Sequence, residues 1–108
     1  MFNRPAVPMI SVTELAALLE ADATTPVIDV REPHEYAEGH VPDAVLMPLQ
    51  TVPIRHEELP RDRVVYVVCA VGGRSGQAVA WLNQQGYDTV NVAGGTQDWV
   101  AAGLPVAR

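Results

Sequence analysis

Short, continuous runs of hydrophobic residues alternate along the chain with longer segments that have helical spacing. The continuous runs, rich in valine and isoleucine, lie at 26–30, 44–49, 64–68 and 89–92. Unbroken apolar runs of this length are typical of strands buried on both faces of a sheet, and 64–68 (VVYVV) is the strongest of them. Strands that alternate with helices predict an α/β fold, with a parallel sheet flanked by helices on both faces.

Helix start and stop signals support this alternation. Ser11 is followed three residues later by Glu14, which predicts a capping box at the start of the first helix. A second, brief helix begins at Pro33 and is stopped by Gly39. Further helical segments are predicted at 75–86, at 95–103 and, as a turn or two, within 50–59.

Length and composition then limit the classes of protein. With 108 residues, 48% of them hydrophobic, the chain is expected to form one domain over 1–108. Its net charge of −6 gives no basis for binding nucleic acid or anionic lipid. No apolar run is long enough to span a bilayer, and the first residues contain no long apolar stretch, so a cytoplasmic protein is expected.

The chain contains one cysteine and three histidines. A single cysteine excludes an internal disulfide, a CxxC redox pair and a cysteine-based zinc cluster. His34, His40 and His56 are not spaced as helical metal ligands, so neither a metal site nor a cofactor is predicted.

That cysteine, Cys69, directly follows the strongest predicted strand and precedes the sequence AVGGRS. Gly72 and Gly73 allow backbone angles that turn successive N–H groups inward, and the helix expected near Ser75 adds further free N–H groups. Arg74 adds a positive charge. The sequence therefore predicts an anion-binding cup around the sulfur, which would lower the pKa of the thiol and stabilise a thiolate or a persulfide anion.

The residues around Cys69 disfavour three other interpretations of the same segment. Buried cysteines are often inert packing residues, but the adjoining glycines, arginine and helix start favour a reactive thiol. A nucleotide-binding P-loop is disfavoured because the Gly-Lys-Ser/Thr ending is missing. A cysteine protease is disfavoured because no histidine is placed by the sequence to act as its base.

The segments VIDVREPHEYAEGHVPDAV, VVYVVCAVGGRSGQAVAWL, GYDTVNVAGGTQDWVAAGLPV and ISVTELAALL together make the chain resemble the single-domain rhodaneses. These small sulfurtransferases carry sulfane sulfur as a cysteine persulfide. The resemblance extends from about Ile10 to Val106, taken as the domain core. It implies the rhodanese-like fold, a five-stranded, mainly parallel sheet between helices.

The resemblance also assigns roles to individual residues. It identifies Cys69 as the nucleophile. It also places Arg31 near the mouth of the site, where Arg31 would help to hold an anionic donor. Asp29 and Glu32 are expected to fix the turn around Arg31. The sulfur cradle is expected from the segment Ala70, Val71, Gly72, Gly73, Arg74 and Ser75. Structural roles are implied for Gly39, His40, Pro42, Gly94, Gly95, Trp99 and Gly103.

Two departures from the family pattern affect the expected chemistry. Asp43 stands where the family often has glycine, in a turn. Val71 stands where some thiosulfate-using members have a cation, so thiosulfate is expected to bind poorly and polysulfide or a protein persulfide to be the better donor. The six-residue Cys-x4-Arg loop suits one sulfur atom, whereas related dual-specificity phosphatases and arsenate reductases have a longer Cys-x5-Arg loop.

The resulting prediction is a sulfurtransferase that takes sulfur from thiosulfate, polysulfide or a protein persulfide through a persulfide on Cys69. The acceptor would be thiophilic: cyanide, glutathione or a protein thiol. Two alternatives stay open, a non-catalytic binding or sulfur-sensing module, and a phosphatase or arsenate reductase, which the loop length disfavours.

Overall fold

The computed structural model describes residues 7–108, which form a five-stranded sheet of order β1-β5-β4-β2-β3. Every pair of neighbouring strands is parallel. The strands are β1 (Met9–Ile10), β2 (Val27–Asp29), β3 (Val45–Leu46), β4 (Val65–Val68) and β5 (Thr89–Val92). The helices are α1 (Val12–Ala21), α2 (Pro33–Glu38), α3 (Val52–Arg55), α4 (Gly73–Gln84) and α5 (Gly95–Ala101).

The predicted parallel α/β fold is confirmed, and four of its strands were visible as apolar runs. The edge strand β1 was not identified from the hydrophobic pattern. It has only two residues, Met9 and Ile10, and its register is set by β5, where they lie opposite Asn91 and Val92. A two-residue strand is stabilised by pairing with its neighbour, and it is too short for its own sequence to show a periodic pattern.

Side chains of the central strand β4 pack into two apolar layers, one on each face of the sheet. Val65 and Val67 lie in a cluster with residues of α3 and α4, whereas Val68 lies in a second cluster with residues of α1 and α5. All three valines are fully buried. The sheet is therefore covered by helices on both faces, as the unbroken apolar run predicted.

The first helix begins as its sequence predicted. Ser11 Oγ accepts the backbone N–H of Glu14 at 3.1 Å, and Glu14 Oε1 accepts the backbone N–H of Ser11 at 3.0 Å. This reciprocal capping box satisfies N–H groups that the first turn of α1 leaves without helical partners.

The C-terminal segment folds back onto the turn that follows α2. His40 and Ala107 form an antiparallel bridge with two backbone hydrogen bonds of 2.9 Å, and Trp99 Nε1 donates to the carbonyl of Pro105 at 2.6 Å. The nearby turn contains Asp43 at φ 65°, the left-handed region in which glycine is favoured. The glycine that the family pattern often has at this position thus has a conformational basis.

Parallel pairing brings the carboxyl ends of the strands to one edge of the sheet. β2 leads into Arg31, β4 into Cys69 and β5 into Gly94. In open parallel sheets this edge is where ligands usually bind. The residues that the sequence singled out are therefore gathered at a single edge by topology.

Candidate active site

Cys69 lies in a tight turn between β4 and α4. Its residue surface is only 1% exposed, and its Sγ accepts hydrogen bonds from the backbone N–H of Gly72 at 3.1 Å and from Ser75 Oγ at 3.2 Å. Ser75 is fully buried in the first turn of α4. The sulfur thus faces the N-terminal end of a twelve-residue helix, where free N–H groups and the helix dipole favour an anion.

The first turn of α5 binds the carbonyl groups of the Cys69 turn. The carbonyl oxygen of Cys69 accepts the backbone N–H of Thr96 at 2.8 Å and its hydroxyl at 3.2 Å. The carbonyl of Ala70 accepts the backbone N–H of Gln97 at 3.0 Å. With both carbonyls bound to α5, their oxygens have donors of their own and do not compete for the donors that surround the sulfur.

Asn91 of β5 connects Ser75 to Gly72. Its Oδ1 accepts the Ser75 hydroxyl at 2.5 Å, and its Nδ2 donates to the carbonyl of Gly72 at 3.1 Å. Because the Ser75 hydroxyl has one proton, Asn91 and the sulfur of Cys69 compete for it. Asn91 is buried, so it both fixes the turn and controls how strongly Ser75 donates to the sulfur.

Burial has the largest effect on the Cys69 thiol and on its own raises the pKa. It is outweighed by hydrogen bonding from the Ser75 side chain and, after it, from the backbone N–H groups of Ser75, Gly72 and Val71. The resulting pKa lies below the ordinary value of 9.0. Since the thiolate is the nucleophile, these hydrogen bonds increase the reactive fraction of Cys69 at neutral pH.

Replacing Ser75 by alanine is expected to raise the pKa of Cys69, because the strongest of the lowering hydrogen bonds is lost. We expect a roughly tenfold slower reaction with iodoacetamide at neutral pH, because the thiolate fraction falls. The check is the alkylation rate of Cys69 as a function of pH. Thr96→Val is the matched control, because its hydroxyl contacts the Cys69 carbonyl and not the sulfur.

The structure corrects the predicted start of α4. The helix begins at Gly73, two residues before Ser75, so Gly73 and Arg74 belong to its first turn. Only Gly72, at φ 116°, has the left-handed backbone expected of both glycines. The sequence prediction was wrong here because two adjacent glycines signal a turn without showing which of them makes it.

The two glycines should therefore respond in opposite ways to alanine. A Cβ at Gly73 meets nothing within 4 Å, so Gly73→Ala should stabilise the fold by about 0.5 kcal/mol by restricting the unfolded chain. Gly72→Ala should destabilise it by about 1–2 kcal/mol, because an L-residue is strained at that φ. Urea unfolding midpoints test both. Equal effects of the two changes would contradict the assignment of Gly72 as the turn residue.

Arg74 is held by a carboxylate from α2. Its Nη1 and Nη2 donate to the two carboxylate oxygens of Glu35, at 2.7 and 2.9 Å, in a bidentate pair. The hydrogen bond from Arg74 is the main cause that lowers the pKa of Glu35 to about 2. The pair fastens α2 to the first turn of α4, and it neutralises the charge that the sequence assigned to the cup.

Arg31 is also paired. Its Nε and Nη2 donate to the carboxylate of Asp29, with a shortest distance of 2.8 Å, and Nη2 donates to the carbonyl of Gly39 at 2.8 Å. Arg31 is 6% exposed and Asp29 is fully buried. Asp29 thus fixes this turn, as expected, and the structure places Arg31 in the same buried pair. A contact between Arg31 and a donor remains a prediction.

The remaining predicted cradle residues, Ala70 and Val71, lie at the tip of the turn. Val71 is 61% exposed, and Ala70 is half-buried. An exposed valine at this position adds apolar surface, and no charge, to the rim of the site.

Sequence reasoning missed two residues that complete this arrangement, Glu35 and Asn91. Glu35 is separated from Arg74 by 39 residues and looks like an ordinary helix-start acid, while Asn91 is a polar residue inside a predicted buried strand. A buried polar side chain needs partners, and that was the one available signal for Asn91.

Among residues 7–108, no group of three or more histidine, cysteine, aspartate or glutamate side chains is arranged to hold a metal ion. Within the same residues, no helix combines the length and apolar character that a bilayer crossing needs.

Comparison with known proteins agrees with the fold. The model of the rhodanese-like domain matches residues 11–102. A protein named sulfurtransferase from Allochromatium vinosum is 48% identical over 80 residues, which cover 73% of this chain and 75% of that protein. The putative sulfurtransferase YtwF of Bacillus subtilis is 40% identical over 90 residues, covering 83% and 87% of the two chains.

The fold is likewise similar to that of a solved structure. The crystal structure of a rhodanese-related protein from Thermoplasma volcanium matches with a TM-score of 0.86 and 35% sequence identity. The match covers 93% of this chain and 97% of that one, so the likeness extends over nearly the whole fold.

Proposed function

The chain belongs to the rhodanese-like domain family of sulfurtransferases, and from that premise we propose that it transfers sulfane sulfur through a persulfide on Cys69. The observation that carries this proposal is the environment of the sulfur. Sγ accepts the Gly72 N–H and the Ser75 hydroxyl at the start of α4, and its pKa is lowered. A thiolate stabilised by hydrogen-bond donors is the starting state that such a transfer requires.

The first half-reaction is a nucleophilic displacement at sulfur. The thiolate of Cys69 attacks the outer sulfur of the donor, a new S–S bond forms, and the electron pair of the broken S–S bond leaves with the first product. With thiosulfate as donor that product is sulfite; with a polysulfide it is the polysulfide shortened by one sulfur. The negative charge then lies on the outer sulfur of the persulfide.

The second half-reaction returns the enzyme to its starting state. A thiophilic acceptor, such as cyanide, glutathione or a protein thiolate, attacks the outer sulfur, and the Cys69 thiolate leaves. The proposed cradle consists of backbone N–H groups in the segment from Ala70 to Ser75, together with the dipole of α4. Neither half-reaction needs a metal or an organic cofactor, because each is a displacement at sulfur that requires no external oxidant or reductant. We place this reaction in the cytoplasm.

The test is the intact mass of the protein after separate incubations with thiosulfate and with polysulfide. We expect a gain of one sulfur atom with at least one donor, and its release by cyanide as thiocyanate. Steady-state rates should follow ping-pong kinetics. If Cys69 reacts with iodoacetamide but neither donor adds sulfur, sulfur transfer is excluded for these donors.

A binding or sulfur-sensing module is the second candidate, and one observation favours it. The two arginines that the sequence predicted to attract an anionic donor, Arg31 and Arg74, are both engaged by carboxylates, which leaves that donor with little side-chain charge to bind. The same mass experiment separates the two candidates. A module without turnover would gain no sulfur, or would gain one that cyanide and thiols do not remove.

A further inference from the structure

The two arginines that the sequence assigned to the site are both held in arginine–carboxylate pairs. Arg31 is bound by Asp29 at 2.8 Å, and Arg74 is bound by Glu35 at 2.7 Å. Arg74 lies close enough to the sulfur for a Cys69 anion to raise the pKa of its guanidinium. Each cation is thus matched by an anion, and the backbone donors are left as the positive end of the site.

Glu35 is held firmly in this position. Its Oε1 accepts the backbone N–H of Glu32 at 3.0 Å in addition to Arg74 Nη1, while its Oε2 accepts Arg74 Nη2. Its side chain is 24% exposed, so solvent screens the pair only in part. An incoming anion cannot recruit the charge of Arg74 without competing with a fixed bidentate carboxylate.

We propose that Glu35 is a specificity-determining residue, which cancels the charge of Arg74 and so selects sulfur donors of low charge over dianions such as thiosulfate. This inference rests on the proposed sulfur transfer. The preferred donor class is a singly charged polysulfide or a persulfide borne by a carrier, for which repulsion from the Cys69 thiolate is smaller. A dianion meets twice the repulsion of a monoanion and receives no net attraction from side chains.

The charge near the sulfur can be measured independently of sulfur transfer. Iodoacetate and iodoacetamide have similar shapes, differ by one negative charge, and both alkylate a thiolate with release of iodide. In Glu35→Gln we expect the ratio of the iodoacetate rate constant to the iodoacetamide rate constant at Cys69 to rise about fivefold at low salt. Glu38→Gln is the matched control, because it removes an exposed carboxylate from the same helix and should leave the ratio unchanged.

The functional arm uses the same variants with thiosulfate. Because thiosulfate carries two charges, its rate of sulfur loading should rise about 25-fold in Glu35→Gln, the square of the alkylation effect. A raised alkylation ratio with no sulfur loading from either thiosulfate or polysulfide would support the role of Glu35 in setting charge and overturn the proposed sulfur transfer. An unchanged ratio alongside active sulfur transfer would overturn the inference about Glu35 alone.

A measurement on the unaltered protein covers the case in which Glu35→Gln does not fold. If Glu35 cancels Arg74, the thiolate dominates, and the ratio of iodoacetate to iodoacetamide alkylation should rise as salt screens the repulsion. A ratio that falls with salt would mean that the site attracts anions despite Glu35, and the inference would be wrong.

Discussion

We expect Cys69→Ser to abolish sulfur transfer, lowering the rate by at least about 10⁴-fold, while the fold is retained. A serine hydroxyl is of similar size and can still accept the hydrogen bonds from Gly72 and Ser75, so the turn should keep its shape. Its oxygen is not ionised at neutral pH and cannot hold a stable persulfide. The measurement is the rate of thiocyanate formation with the best donor, together with intact mass.

Val71→Ala is the control for this prediction. It alters the same turn at an exposed side chain and leaves the backbone N–H groups of the proposed cradle in place, so transfer of sulfur from polysulfide to cyanide should continue. Transfer that survived in Cys69→Ser would show that another group carries the sulfur and would refute the proposed mechanism. An unchanged thermal unfolding transition in both variants would rule out loss of structure as the cause of lost activity.

Gly95→Ala should strongly destabilise the fold. Its Cβ would lie 2.3 Å from the carbonyl oxygen of Cys69 and 2.6 Å from that of Ala70, in a backbone at φ 56°. Both contacts involve backbone atoms, which cannot swing away as a side chain can. We expect a loss of about 4 kcal/mol in the free energy of unfolding and loss of the alkylation-competent thiolate.

Gly103→Ala isolates the conformational part of this effect. Gly103 also has a left-handed backbone, at φ 72°, but a Cβ there meets nothing within 4 Å. It should cost only about 1 kcal/mol, and Cys69 should stay reactive. If urea unfolding gives the two variants the same loss, the close approach of Gly95 to the Cys69 turn has no energetic importance.

Local sequence signals were enough to predict most of the secondary structure. The capping box of Ser11 and Glu14, the stop at Gly39 and the run before Cys69 each report a property of a few neighbouring residues. Such properties are decided mainly by backbone propensity and by burial of one short segment. The position of the cysteine at the carboxyl edge followed from the order of strands and helices.

Contacts between residues that are far apart in the sequence could not be predicted from such local signals. The Glu35–Arg74 pair joins residues 39 positions apart, and the Ser75–Asn91 hydrogen bond crosses from α4 to β5. The charges on Arg31 and Arg74 were visible, but their cancellation depends on which carboxylates the fold brings close. A sequence supplies the charged groups, and only tertiary packing decides whether they face a ligand or each other.

The support of the Cys69 turn by the residues before and within α5 has a consequence for synthesis of the chain on the ribosome. The strand and the turn that carry the cysteine emerge before Thr96 and Gln97, which bind the Cys69 and Ala70 carbonyls and follow more than 20 residues later. Until then β4 also lacks β5, its partner in the sheet. The nascent thiol is therefore an ordinary one, and its nucleophilic character arises only when folding is nearly complete.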